Sequence, residues 1–240
     1  MRILVACEES QTILKELLAL GHDAWSCDIK PCSGQFPEKH ITADVLSILD
    51  QGWDLMIAHP PCTYLSGAGD NWFYNDGEFN WDRQEKRLDA LDFVLALWNA
   101  PIDRIAIENP VGAMSTMWRK PQQIVQPWQF GDEAQKRTCF WLKNLPRLVP
   151  TKIVDKGEFF EWVCKKTGKK RRQPKWYYDA LASSTPEERK TIRSKTFPGL
   201  AKAIADQWTR EEYPLGYGFQ TELNFNHEPN HRQIFGQKTT

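Results

Sequence analysis

Asp54-Leu-Met-Ile-Ala-His-Pro-Pro-Cys-Thr-Tyr-Leu-Ser66 decides how the chain is read. Leu55 to Ala58 is a short unbroken apolar run, the pattern of a strand buried on both faces. Pro60 and Pro61 end it, because neither supplies a backbone N–H to a central ladder. Cys62 therefore stands where a strand of an α/β sheet opens into a loop, the edge where such sheets gather ligands and chemistry. A second run, Arg104-Ile-Ala-Ile-Glu-Asn-Pro110, repeats the pattern and ends in a carboxylate, an amide and a proline. One strand delivers a candidate nucleophile and the other a candidate acid, a pairing that points to an enzyme.

Toward the N-terminus, residues 2–7 (RILVAC) read as a buried strand, followed by the polar turn Glu8-Glu9-Ser10. Ile13, Leu14, Leu17 and Leu18 recur at helical spacing, and Gly21 closes that helix. Ala24 to Cys27 is a second strand, ending on Asp28. A strand, turn, helix, strand and terminal acid open a Rossmann-like fold, where that acid commonly binds a ribose hydroxyl; a plain surface aspartate is the alternative. The Gly-x-Gly-x-x-Gly fingerprint is absent, so the turn is not shaped to hold a pyrophosphate, which argues against NAD and FAD. A nucleoside cofactor without phosphates, such as S-adenosylmethionine, does not need that loop. Asp44-Val45-Leu46 then leads into a short helix ending near Gln51.

Toward the C-terminus, residues 67–82 carry Gly, Asn and aromatic residues without periodicity and read as a long loop, a candidate lid or clamp. Gln84 to Trp98 is an amphipathic helix, and 110–123 reads as irregular. Gln126 to Gly131 and Thr138 to Leu142 bracket a polar turn and predict an antiparallel pair at the sheet edge. Segment 151–192 changes character. Phe159 to Trp176 predicts a hairpin turning at Thr167-Gly168, with seven basic residues: Lys165, Lys166, Lys169, Lys170, Arg171, Arg172 and Lys175. Aromatic residues flank this run, which favours contact with a phosphate backbone over a merely solvated face. A last helix is expected from Gly199 to Trp208, and the tail beyond Pro214 reads as extended or disordered. The domain plan is a core over 1–150, a small basic insertion over 151–192, a completing helix within 193–212 and a tail over 213–240.

Lysine plus arginine and aspartate plus glutamate each number 31 in 240 residues, so any basic face must be local. No run is long enough to span a membrane. The first residues turn polar too soon for a secretory signal. The six cysteines form no CxxC pair and have no histidine at zinc spacing, which predicts no metal and a reduced, cytoplasmic protein. Eleven tryptophans are many for this length. Trp72, Trp81, Trp162 and Trp176 fall in polar surroundings where they could serve binding.

Taken in order, these motifs resemble those of the DNA cytosine-5 methyltransferase family, in a short form like those of phages and mobile elements. The Pro-Cys nucleophile motif is similar to His59-Pro60-Pro61-Cys62, with Ser66 closing it. The Glu-Asn-Val motif resembles Glu108-Asn109-Pro110. The Gln-x-Arg-x-Arg motif resembles Gln135-Lys136-Arg137-Thr138-Cys139. The closing motif resembles Ser194 through Phe197-Pro198-Gly199-Leu200-Ala201. The matches run in register from residue 3 to 208.

The resemblance implies a Rossmann-like S-adenosylmethionine-dependent fold and methyl transfer to carbon 5 of cytosine in DNA. Cys62 would be the covalent nucleophile and Glu108 would donate to the ring N3. Arg137 would bind the ring carbonyl, and Asn109 would hold the loop. Cofactor contacts would come from Ala6, Cys7, Glu8, Glu9, Ser10, Asp28, Ile29, Asp44, Val45, Pro60 and Ser194. Ser66, Gln135 and the basic run would face DNA, whose target base must be flipped out or already single-stranded. A monomer is assumed, in the host cytoplasm if the gene is a phage's, and protection of a genome against restriction is the family-level purpose.

The chain departs from the family pattern at four points. Ala6 to Ser10 replaces the glycine-rich first motif, Cys139 replaces the second arginine, Ser194 replaces an asparagine, and the recognition segment is much reduced. Recognition is therefore expected to be short, degenerate or carried by the backbone. Three other readings stay open. Pro-Pro after a strand also suits methyltransferases of exocyclic amino groups, which need no thiol. The thiol–glutamate chemistry could serve a free nucleotide or another one-carbon donor. A catalytically silent nucleic-acid-binding relative is the third.

Overall fold

A computed structural model describes residues 1–75, 77–165, 167–183 and 185–210. Lys166 and the tail from 213 lie outside the described residues. The elements are, in chain order, β1 (Arg2–Ala6), α1 (Thr12–Ala19), β2 (Asp23–Asp28), β3 (His40–Thr42), β4 (Leu55–Ala58), β5 (Tyr74–Asn75), β6 (Glu78–Phe79), α2 (Trp81–Trp98), β7 (Arg104–Pro110), α3 (Met114–Met117), β8 (Gln123–Val125), β9 (Thr138–Lys143), β10 (Phe159–Val163), β11 (Lys170–Pro174), α4 (Lys175–Ser183), α5 (Pro186–Ser194) and α6 (Pro198–Trp208).

The centre is a seven-stranded sheet in the order β3-β2-β1-β4-β7-β9-β8. It is parallel from β3 through β7, while β9 runs antiparallel to both neighbours. Strict alternation sorts each strand between two apolar layers. Ile3, Val5, Leu55, Ile57, Ala106 and Phe140 pack with α1 and α6. Leu4, Ala6, Met56, Ala58, Ile107 and Trp141 pack with α2 and the turn Val45–Ile48. Both faces are covered, which is why β4 reads as a continuous apolar run. Burying each of its large side chains stabilises the fold by roughly 1.5–3 kcal/mol relative to leaving it exposed.

The architecture is thus mixed α/β with a mostly parallel sheet, compatible with a Rossmann-like fold. No described helix is long and apolar enough to cross a membrane. The chain order reverses between β1 and β4, and at such a switch point the carboxyl ends of the strands open a crevice. Ala6 pairs with Ala58 and Ala58 with Ile107, so the residues just beyond meet there: Cys7, His59 and Glu108.

Several expectations shift. The antiparallel partner of β9 is Gln123–Val125, and Pro127–Gln129 is a 3₁₀ turn, because Pro127 has no N–H for a ladder. His40–Thr42 adds an edge strand that its length hid. Segment 67–80 holds a 3₁₀ turn and the two-residue strands β5 and β6 instead of a structureless loop. Two helices, α4 and α5, follow the basic hairpin.

Candidate active site

The Pro-Pro-Cys loop is pinned to β7. Asn109, 1% exposed, donates from Nδ2 to the Pro60 carbonyl at 3.0 Å. Alternation along β7 turns Glu108 to the other face, where its Oε2 lies 3.2 Å from Nδ1 of His59. Leu65 to Gly67 is stitched to the segment after β7 by Gly67 N–H donating to the Val111 carbonyl and Ala113 N–H to the Leu65 carbonyl. A Cβ at Gly112 would overlap the Leu65 carbonyl oxygen, so only glycine permits this approach. Arg87 donates to the Tyr64 carbonyl at 2.8 Å and Arg83 to that of Thr63 at 3.2 Å, tying the loop to α2.

Cys62 is exposed at the mouth of the crevice. Crowding by its surroundings and the Glu108 carboxylate raise its thiol above the ordinary range, while Lys136 and Arg193 pull the other way. The resting group is therefore the thiol. Glu108 is held below the usual carboxylate range despite desolvation, because the His59 hydrogen bond and charge, with Lys136, favour its ionised form. Burial pushes Lys136 down, opposed by Glu108 and Cys62. Its Nζ donates to the Lys195 carbonyl at 3.0 Å. A small pocket beside this group is lined by Glu108, His59, Lys136, Thr138, Phe197 and Leu200.

Arg137, expected at the target base, is exposed, and it is the adjacent Lys136 whose charge acts on both Cys62 and Glu108. Cys139 is fully buried in the β9 ladder opposite Asn109. Gln135 accepts from Trp176 through its carbonyl at 3.4 Å, and Ser66 caps the turn Gly67–Phe73. Ser194 is exposed at the end of α5, next to the segment that meets Lys136.

Where the cofactor contacts were expected, Cys7 is left-handed at φ 59°, turning the chain sharply after β1. Glu8, 5% exposed, folds inward and accepts from the N–H groups of Ile13 at 2.7 Å and Leu14 at 3.3 Å. The α1 N-terminus, where a phosphate would sit, is already filled by a carboxylate of the same chain. That accounts for the missing glycine fingerprint. Ala6 and Val45 are buried, and so is Pro60. Glu9 and Ser10 are half-buried, with Ser10 Oγ 3.1 Å from Thr12 Oγ1. Asp28 and Asp44 act on Cys7, whose thiol is pushed far up by burial and then by these charges. Ile29 is 76% exposed beside Asp28. This edge is negative, lacks a free helix N-terminus for phosphate, and carries an acid with adjacent apolar surface. It fits a cationic nucleoside and disfavours a dinucleotide.

The basic run occupies the turn after β10 (Lys165, Lys169), β11 (Lys170, Arg171, Arg172) and the first residue of α4 (Lys175), with Gly168 at φ 65° in the turn. Phe160 stacks on Tyr178 of α4 at 3.6 Å, and Trp176 meets Phe197 at 5.4 Å, which seats the insertion next to the crevice. Arg172 lies over Phe159 and Lys175 pairs with Asp179 at 2.7 Å. Lys165, Lys169, Lys170 and Arg171 are exposed. Among the described residues no cluster suited to a metal occurs. Comparison with protein-family models and with curated proteins finds no match to this chain.

Proposed function

We propose that the chain is an S-adenosylmethionine-dependent DNA cytosine-5 methyltransferase acting through a Cys62 adduct. The observation that carries this reading is the placement of Cys62 and Glu108 beyond the paired ends of β4 and β7, braced by Asn109, with Glu108 and Lys136 lining one pocket. Carbon 5 of cytosine is a weak nucleophile until the ring is activated by addition at carbon 6. Cys62 supplies that addition as thiolate. Its pKa is raised at rest, so the thiol gives its proton to solvent water as the base binds, with Lys136 and Arg193 stabilising the sulfur charge. Glu108, ionised at rest, would first take up a proton and then deliver it to N3 as negative charge builds there.

Asp28, Asp44 and the exposed Ile29 would hold the cofactor, and S-adenosylmethionine supplies the methyl group that carbon 5 takes up. Loss of the carbon 5 proton then expels Cys62. The exposed lysines and Arg171 of the hairpin would track the phosphate backbone, with base reading left to few contacts.

Duplex and single-stranded DNA incubated with the protein and S-adenosylmethionine, then digested to nucleosides for mass spectrometry, tests this. The expected product is 5-methyldeoxycytidine, absent with Cys62→Ala. N4-methyldeoxycytidine or N6-methyldeoxyadenosine surviving that substitution contradicts the reading in favour of an amino-methyltransferase.

A further inference from the structure

His59 stands between two carboxylates. On one side is Glu108 of β7, at 3.2 Å from Nδ1. On the other is buried Glu8, in the turn after β1, whose pKa burial raises while the His59 charge opposes the shift. Lys136, ahead of β9, faces Glu108 and Cys62, and Arg193 of α5 acts on Cys62 and Lys136. The second ring nitrogen, Nε2, is buried and finds no hydrogen-bond partner among the described residues. A strand-end imidazole with one nitrogen committed to the candidate acid is more than core filling.

We propose that His59 and Glu108 share one proton, and that His59 is the positioning residue that reloads Glu108 as the acid toward the target base. This rests on the cytosine reading above. As the bond from sulfur to carbon 6 forms, the ring π electrons move onto N3, which takes a proton from Glu108. That proton is the shared one, which the imidazolium Nδ1–H has passed to the Glu108 carboxylate, leaving His59 neutral. After carbon 5 loses its proton to water and the carbon–sulfur bond breaks, N3 returns its proton to Glu108 and His59. No net proton is consumed by the pair. Glu108 alone, held below the usual carboxylate range, would surrender its proton at too low a pH to serve near neutrality.

The test is the pH profile of kcat for methyl transfer by wild type and His59→Gln, with ¹³C NMR of the Glu108 carboxyl. Wild type is expected to lose activity on the alkaline side as the pair deprotonates. In His59→Gln that limb moves down by more than about one pH unit, and kcat near pH 8 falls on the order of 10²-fold. A limb that stays in place while kcat drops assigns His59 a merely structural part and overturns the proposal. The Glu108 ¹³C shift of wild type should follow two steps, its own and that of His59. A single step overturns the shared proton even if His59→Gln does not fold. A wild type that makes no methylated cytosine but shows both steps sinks the function and leaves the pair standing.

Discussion

Lys136 and Arg137 are neighbours in sequence with opposite fates, and the difference is measurable. The Lys136 ammonium faces Cys62 and Glu108, whereas the exposed Arg137 bears on Cys139. Lys136→Met should raise the Cys62 pKa further, and the methylation rate near pH 7 should fall ~10-fold for every pH unit by which the thiol's titration moves up. Arg137→Ala should cost much less, and a larger loss from Arg137 would return that residue to the base, where the sequence motif put it. Glu8 provides a stability readout. Burial raises its folded pKa above 4.5, opposed by His59 and the α1 N–H groups, so the native state holds a proton that the unfolded chain releases. Stability relative to Glu8→Gln should therefore fall as pH rises from about 4.5 through the folded value, then level off. Denaturant unfolding across that window checks it; a gap that widens with pH contradicts the assignment. The motif letters could locate Cys62, Glu108 and Asn109 because strand-end punctuation is local. They could not show that Glu8 turns inward or that Lys136 displaces Arg137, since both depend on side-chain direction after a tight turn.

Among the elements, β4 and β7 carry the site as a pair, with Asn109 as their brace. Asn109→Ala leaves the Pro60 carbonyl without its partner, a loss of about 1–3 kcal/mol. Unfolding by urea should register it, together with a lower kcat as the Cys62 loop loosens. Gly112→Ala should be at least as damaging to activity, because the loop must move away from β7 to admit a methyl group. Wild-type activity in Gly112→Ala would mean that this stitching is irrelevant to the chemistry. Apolar runs make β1, β4 and β7 legible, and periodicity gives α1 and α2. The three-residue β3 and β8 are too short for a period to show. For α5 the signal is local and present: Thr185-Pro186-Glu187-Glu188 forms a capping box with proline at the first helical position. The basic composition just before it draws attention away.

Over the whole molecule, charge neutrality conceals a local arrangement. An acidic edge at Asp28 and Asp44 lies near Cys7, and the segment carrying the basic hairpin packs through Trp176 on Phe197, which lines the pocket with Glu108 and Lys136. Replacing Lys169, Lys170 and Arg171 by alanine should weaken DNA binding regardless of sequence and lower the salt slope by about one for each phosphate contact removed. Lys175→Ala should matter less, its ammonium being shared with Asp179. An unchanged slope in the triple variant would detach the hairpin from nucleic acid.

The central claim is that Cys62 bonds to carbon 6 of a cytosine in DNA. Fluorine at carbon 5 removes the proton whose loss ends the cycle, so DNA containing 5-fluorodeoxycytidine should trap the adduct. After incubation with S-adenosylmethionine, denaturing electrophoresis and peptide mass spectrometry should show a protein–DNA species linked at Cys62 and none with Cys62→Ala. A wild-type protein that methylates cytosine yet leaves no adduct on the fluorinated DNA, or one linked at another residue, would contradict it.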